Sequence, residues 1–140
     1  MVDHRFPVSV HIMTALAYHQ VHGEKRATSE YLAGSIRTNP TVIRRLVSRL
    51  AEAGLIHSYK GKSGGIELAK KPVEITLKDI YSAVLDKQLI QSPDKAPKKQ
   101  CPVSCSMKKI MSDVIDGLES QSLDYLGQIK LADIVGKIEN

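Results

Sequence analysis

The segment 40–53, Pro-Thr-Val-Ile-Arg-Arg-Leu-Val-Ser-Arg-Leu-Ala-Glu-Ala, limits what this chain can become more than any other feature. Asn39 suits a helix N-cap, and Pro40 suits the first helical position, where its missing N–H would be unbonded anyway. Gly54 supplies the usual stop. Counting 100° per residue from Thr41, the side chains of Val42, Ile43, Leu46, Val47, Leu50 and Ala53 fall between roughly 100° and 240°. Thr41, Arg45, Ser48 and Glu52 take the opposite side, flanked by Arg44 and Arg49. Such a helix must bury one side while presenting three guanidinium groups on the other. Every surface helix has a polar face, so the flanking segments decide what this one is for.

Upstream, residues 7–21 read as a helix. Val8, Ile12, Ala15, Leu16 and His19 share a stripe, and Gly23 follows as a stop. Residues 28–36 read as a short second helix with Thr28 or Ser29 as cap, Glu30 in the first turn and Tyr31, Leu32 and Ile36 as its apolar face. Arg37-Thr38-Asn39-Pro40 is then a tight connection. Downstream, residues 55–59 and 66–69 read as two strands around Lys60-Gly61-Lys62-Ser63-Gly64-Gly65, a cationic tip whose glycines allow close backbone approach. The string Gly-Lys-Ser-Gly-Gly is not a phosphate-cradling P-loop, because no glycine lies five before Gly61 and a strand follows instead of a helix. Helix, helix, tight turn, helix, hairpin is the order of a winged helix-turn-helix. A helix of this kind fits the DNA major groove, arginine matches the two acceptors of guanine, and a basic hairpin can lie on phosphates or enter the minor groove.

The second half differs. Residues 76–86 read as a fourth helix capped by Thr76, with Leu77, Ile80, Tyr81, Val84 and Leu85 on one side. Residues 87–104, with Pro93, Pro97 and Pro102, read as a linker. A long helix capped by Ser104 or Ser106 is expected to about residue 125. Its apolar residues Met107, Ile110, Met111, Val114, Ile115 and Leu118 alternate threes and fours as a coiled-coil-like seam. The same helix of a second protomer is its natural partner, and packing back on its own domain is the other reading. Residues 126–135 are expected to fold back as a short helix.

Charge divides along the same line. Residues 1–72 hold 11 Lys/Arg against 5 Asp/Glu, and residues 73–140 hold 9 against 10. A basic half joined to a near-neutral one points to a polyanion-binding module. Aromatics are 4% of the chain with no Trp, so the core is aliphatic. No apolar run approaches the roughly 18 residues that span a bilayer, and no signal-peptide pattern opens the chain, so a cytoplasmic protein without membrane contact is expected. The two cysteines, Cys101 and Cys105, are too few for a disulfide scaffold. His19 and His22 could share a helix face, but no neighbouring carboxylate or thiol completes a metal site. There is no nucleophile–base constellation, so an enzyme is not expected.

The run from Asn39 to Ile56, the glycine-rich wing, Leu68-Ala69-Lys70-Lys71-Pro72, Ile75-Thr76-Leu77-Lys78-Asp79-Ile80 and Leu131-Ala132-Asp133-Ile134-Val135 together resemble the Rrf-two (Rrf2) family of bacterial winged-helix transcription regulators. That family includes an iron–sulfur cluster regulator, a nitric-oxide-sensing repressor and a cysteine-metabolism repressor. The resemblance covers nearly the whole chain. It departs at the wing, where Lys62 and Ser63 replace a typical Pro and Gly and Ile66 replaces a common aromatic. It departs again at the sensor loop. Cluster-binding members carry three cysteines there, whereas this chain has Cys101-Pro102-Val103-Ser104-Cys105, too few ligands for a cluster from one chain. No cofactor is therefore expected. The cysteine pair is open to three readings: a thiol switch, with Cys105 near a helix start beside Lys108 and Lys109; a metal or cluster completed by ligands from both protomers; or a pair without a sensing role.

The expected fold is thus mainly α with a small β-hairpin: a winged helix-turn-helix over 1–86, a linker or sensor loop over 87–104, and a dimerisation helix with a closing helix over 105–140. The expected function is a homodimeric, sequence-specific regulator of transcription, a repressor, that binds double-stranded DNA. Thr41, Arg44, Arg45, Ser48 and Arg49 form the reading face. Thr28, Ser29, Thr38, Asn39 and Pro40 lie beside the backbone, and Lys60, Gly61, Lys62, Ser63, Gly64 and Gly65 form the wing contact. The rival is a winged-helix protein-interaction module with no DNA role.

Overall fold

The computed structural model describes residues 3–23 and 26–139. Six helices and one hairpin follow in the order α1 (Arg5–Val21), α2 (Ser29–Ile36), α3 (Pro40–Glu52), β1 (Ile56–Tyr59), β2 (Gly65–Leu68), a 3-10 turn (Pro72–Glu74), α4 (Leu77–Val84), α5 (Pro102–Gly127) and α6 (Leu131–Val135). No helix among the described residues is long and apolar enough to cross a membrane.

Local chemistry sets most of the boundaries. Thr28 accepts a hydrogen bond from the Tyr31 N–H (3.0 Å) and starts α2. Asn39 accepts from the Thr41 N–H (2.7 Å) and starts α3 with Pro40 at N1. Thr76 and Asp79 form a reciprocal capping box at α4. Two starts differ from the sequence reading. Helix α1 begins at Arg5, because Pro7 still sits in the first turn, where no intrahelical donor is needed. Helix α5 begins at Pro102, capped by neither Ser104 nor Ser106: the Cys101 sulfur accepts from the Ser104 N–H at 3.4 Å.

One aliphatic core joins the elements. Ile12, Met13, Leu16 and Ala17 of α1, Leu32 of α2, Ile43, Leu46 and Leu50 of α3, Ile56, Ile66 and Leu68 of the hairpin, Ile80 and Val84 of α4, and Leu131 of α6 are all buried together. Val8 and Ala15 are only partly covered, so the α1 stripe is rotated from the one expected. Tyr31 points outward and meets the His19 ring edge-on at 4.7 Å. The strands pair antiparallel, Ile56 with Leu68 through Tyr59 with Gly65. Ala27 adds a further bridge to Ile66.

The closing helix docks on the N-terminal unit. The Leu77 N–H donates to the Ile129 carbonyl (2.9 Å) and the Leu131 N–H to the Ile75 carbonyl (2.8 Å). Helix α5 is tied to α4 where the Tyr81 hydroxyl donates to the Glu119 carboxylate (3.0 Å). Burial and that bond together push the Tyr81 phenol up to about 12. The seam splits. Ile115 turns inward and is buried, and Met111 is partly covered. Met107, Ile110, Val114 and Leu118 remain 40–56% exposed. Val103 and Tyr125 extend this uncovered stripe at both ends.

Candidate nucleic-acid interface

Helix α3 is fixed from below by Ile43, Leu46, Val47 and Leu50, all buried. Its polar side is therefore set by the core and not by its own flexible side chains. Thr41, Arg44, Arg45 and Ser48 are exposed along it. Arg44 and Arg45 form no hydrogen bond or ion pair with the described residues. Arg44 borders a shallow depression with Ser29, Ser48 and Ser58, and Arg45 borders a cleft with Arg5, Thr38 and Val42. The two arginines thus lean to opposite flanks of one helix. Ser29 at the start of α2 lines the depression beside Arg44, and Thr38 in the connection lines the cleft beside Arg45; Thr28 precedes the first, and Asn39 and Pro40 follow the second at the start of α3.

One sequence assignment on α3 needs correction, and one residue of the expected reading face carries a bond that the sequence did not show. Val42, placed among the anchoring aliphatics, is 37% exposed. It stands at the edge of the apolar arc and faces the cleft beside α1. Arg49, placed on the reading face, is already engaged. Its guanidinium forks onto both oxygens of Asp86, with Nη2 2.7 Å from Oδ2. The Asp86 carboxyl is held below its ordinary value by this bond, and the Arg49 guanidinium is raised by it. The partner lies 37 residues away, beyond α4, and no local pattern announced it. Arg5 is likewise held, by Asp3, whose carboxyl falls to about 2.

The wing is a closed turn. The Gly64 N–H donates to the Gly61 carbonyl (3.0 Å). A Cβ on Gly64 would come within 2.4 Å of the Tyr59 carbonyl oxygen, so no other residue fits that position undistorted. Lys60, Lys62 and Ser63 are exposed at the tip, and Gly65 begins the return strand. Tip and α3 together give an outward cationic surface with no acid on the tip.

Cys101 is half-buried as the α5 cap. Cys105 lies one turn on, with its sulfur 3.5 Å from the Lys98 carbonyl oxygen and 3.7 Å from that of Lys99. Both are free thiols. No three His, Cys, Asp or Glu side chains gather into a possible metal set among the described residues. Two thiols with a backbone-facing geometry do not make up the ligands of an iron–sulfur cluster within one chain. His22 is occupied otherwise, stacked on Tyr18 with ring centroids 4.1 Å apart.

A buried-backed basic helix beside a glycine-rich basic hairpin defines the winged helix-turn-helix class of DNA-binding proteins. Residues 2–137 match the family model Rrf2, described as an iron-dependent transcriptional regulator. The chain is 26% identical over 138 residues to YwnA of Bacillus subtilis (strain 168), named as an HTH-type transcriptional regulator, covering 99% of each. Two solved structures share the fold. One is CymR, the global cysteine regulator of B. subtilis, with TM-score 0.65, 21% identity and coverage of 99% of this chain and 98% of that one. The other is T. potens IscR, with TM-score 0.69, 22% identity and coverage of 100% and 93%. The chain belongs to the Rrf2 family, whose members are DNA-binding transcriptional regulators and not enzymes.

Proposed function

We propose that the chain is a homodimeric, cytoplasmic repressor that reads duplex DNA with the first turns of α3 and responds to thiol oxidation through Cys101 and Cys105. The observation that carries the reading is the unengaged pair Arg44 and Arg45 on a helix whose opposite side is locked in the core. Thr41 and Ser48 share that side and complete a base-reading set. Thr28, Ser29, Thr38 and Asn39 hold phosphates beside it, Pro40 sets the turn that brings the first helical N–H groups to them, and Lys60 and Lys62 follow the backbone or minor groove from the wing. The uncovered stripe Met107, Ile110, Val114 and Leu118 supports a dimer. Two copies joined there set their reading helices about one DNA turn, roughly 34 Å, apart. Occupying an operator in this way blocks transcription without any further contact.

Cys101 caps the seam helix, so oxygen transfer from peroxide to its sulfur, releasing water, alters the acceptor that starts α5. Selection of bound fragments from genomic DNA, under reducing and mildly oxidising conditions, tests both parts. A shared inverted-repeat site whose recovery falls on oxidation is expected. Recovery without sequence preference overturns the reading role. Equal responses of wild type and Cys101→Ala remove Cys101 from the switch.

A further inference from the structure

The wing tip is gripped by a residue that lies outside the wing and that no local motif singles out. The Arg26 guanidinium carbon sits 3.7 Å from the centroid of the Tyr59 ring. Its Nη1 donates to the Ser63 carbonyl at 2.8 Å. Its Nε lies 3.8 Å from the Glu67 carboxylate. Those three partners stand on β1, in the tip turn and on β2, so one side chain holds every part of the hairpin. The backbone beside it is locked too: the Ala27 N–H donates to the Ile66 carbonyl (3.0 Å) and the Ile66 N–H returns to the Ala27 carbonyl (2.7 Å). Gly65 makes room for this approach. Its φ is +135°, and a Cβ there would meet both the Ala27 oxygen and the Arg26 Cβ at 3.0 Å.

Only an arginine suits this place. A planar guanidinium can lie over an aromatic face and donate sideways at the same time, whereas an ammonium is a point charge that does one or the other. The Arg26 side chain is also mostly covered and faces Glu67, so its charge is not offered to a phosphate as those of Lys60 and Lys62 are. We infer that Arg26 is a positioning residue for DNA binding, which orders the wing tip in the free protein and so fixes where Lys60 and Lys62 meet the duplex. A five-residue tip, 60–64, ordered beforehand spares the complex the entropy of ordering it on contact. The inference rests on the reading that the wing lysines touch DNA.

Two measurements on the full chain separate the inference from that reading. Without DNA, tryptic cleavage after Lys60 and Lys62, mapped by mass spectrometry, should be at least about fivefold faster in Arg26→Lys and Arg26→Ala, the scale of one cation–π contact with one charged hydrogen bond. Tyr59→Leu should speed it in the same direction and by more than Tyr59→Phe, which keeps the ring under the guanidinium and loses only the hydroxyl beside Glu67. With duplex DNA, Lys62→Ala should cost less affinity in the Arg26→Lys background than in wild type, after correction for folded fraction. Unchanged wing cleavage in Arg26→Lys overturns the inference. So does an Arg26→Lys protein with wild-type affinity and salt slope, the behaviour of a residue that merely contacts phosphate. If the wing loosens as expected but Lys62→Ala alone leaves DNA affinity untouched, the positioning of the tip stands and the wing–DNA reading falls.

Discussion

The three arginines of α3 start from different states, and that difference sets the size of each substitution's effect. Arg44 and Arg45 have no partner to give up among the described residues. A bidentate contact from either to guanine is worth about 1–3 kcal/mol of discrimination, so alanine at the base-reading position should cost roughly 5- to 150-fold on the preferred site and much less on random DNA. Arg49 lies four or five residues further along, about 6–7.5 Å towards the C-terminal end of the helix. It already holds Asp86 in a two-pronged bond. Reaching DNA would exchange one charged fork for another, so Arg49→Ala should change specific affinity by less than about threefold, within the range of an exposed ion pair. Asp86→Asn should do the reverse of harm: it releases Arg49 and removes an exposed anion beside α3, raising affinity for random duplex and steepening the salt slope by about one ion. Fluorescence anisotropy with a selected site and a random duplex, at four salt concentrations, reads all four variants. The reasoning is refuted if Arg49→Ala loses as much discrimination as the larger of the two upstream effects, or if Asp86→Asn weakens binding to random DNA.

Further outcomes follow from other parts of the molecule. Val114→Glu places a charge on the uncovered seam and should give a folded monomer by light scattering, while a dimer that persists would move the interface elsewhere. The Tyr81 phenol is raised to about 12 in the fold against an ordinary value near 10, so its contribution is whole below pH 10 and disappears as pH rises towards 12. Wild type should therefore lose stability over that interval relative to Tyr81→Phe in urea titrations at pH 9 and 11.5, and parallel losses would contradict the assignment. Ser9 is fully buried and its hydroxyl has no partner among the described residues, so Ser9→Ala should add about 1 kcal/mol, roughly 3 °C in Tm, by calorimetry. A lower Tm would mean the hydroxyl is satisfied.

What the sequence made legible was local. Asn39-Pro40 and Gly54 bracket α3, and its 3.6-residue period named Ile43, Leu46, Val47 and Leu50 as the anchored side. Alternation and glycines marked the hairpin, and the spacing of threes and fours marked α5. What stayed hidden depends on chain segments far apart. The Arg49–Asp86 and Arg26–Ser63 contacts each span 37 residues. Val42 emerges because only tertiary packing decides how wide the buried arc of α3 is. Ile115 and Val114 are adjacent in a seam that sequence spacing treats alike, yet the fold buries the first beside Phe6, Tyr81 and Leu89 and leaves the second open. The start of α5 did carry a signal in Pro102, but the density of prolines before it reads as linker, and cysteine is an uncommon cap.

The central claim is that the outward cationic side of α3 recognises duplex DNA. Its most direct test is the salt dependence of affinity for wild type and for the combined Arg44→Ala, Arg45→Ala variant, each with a selected and a random duplex. Wild type should show a linear log–log decline with salt and a clear preference for the selected site. The double variant should lose about two ions from that slope, together with the preference. No duplex binding by wild type at low salt, or a double variant that keeps both slope and preference, would contradict the account.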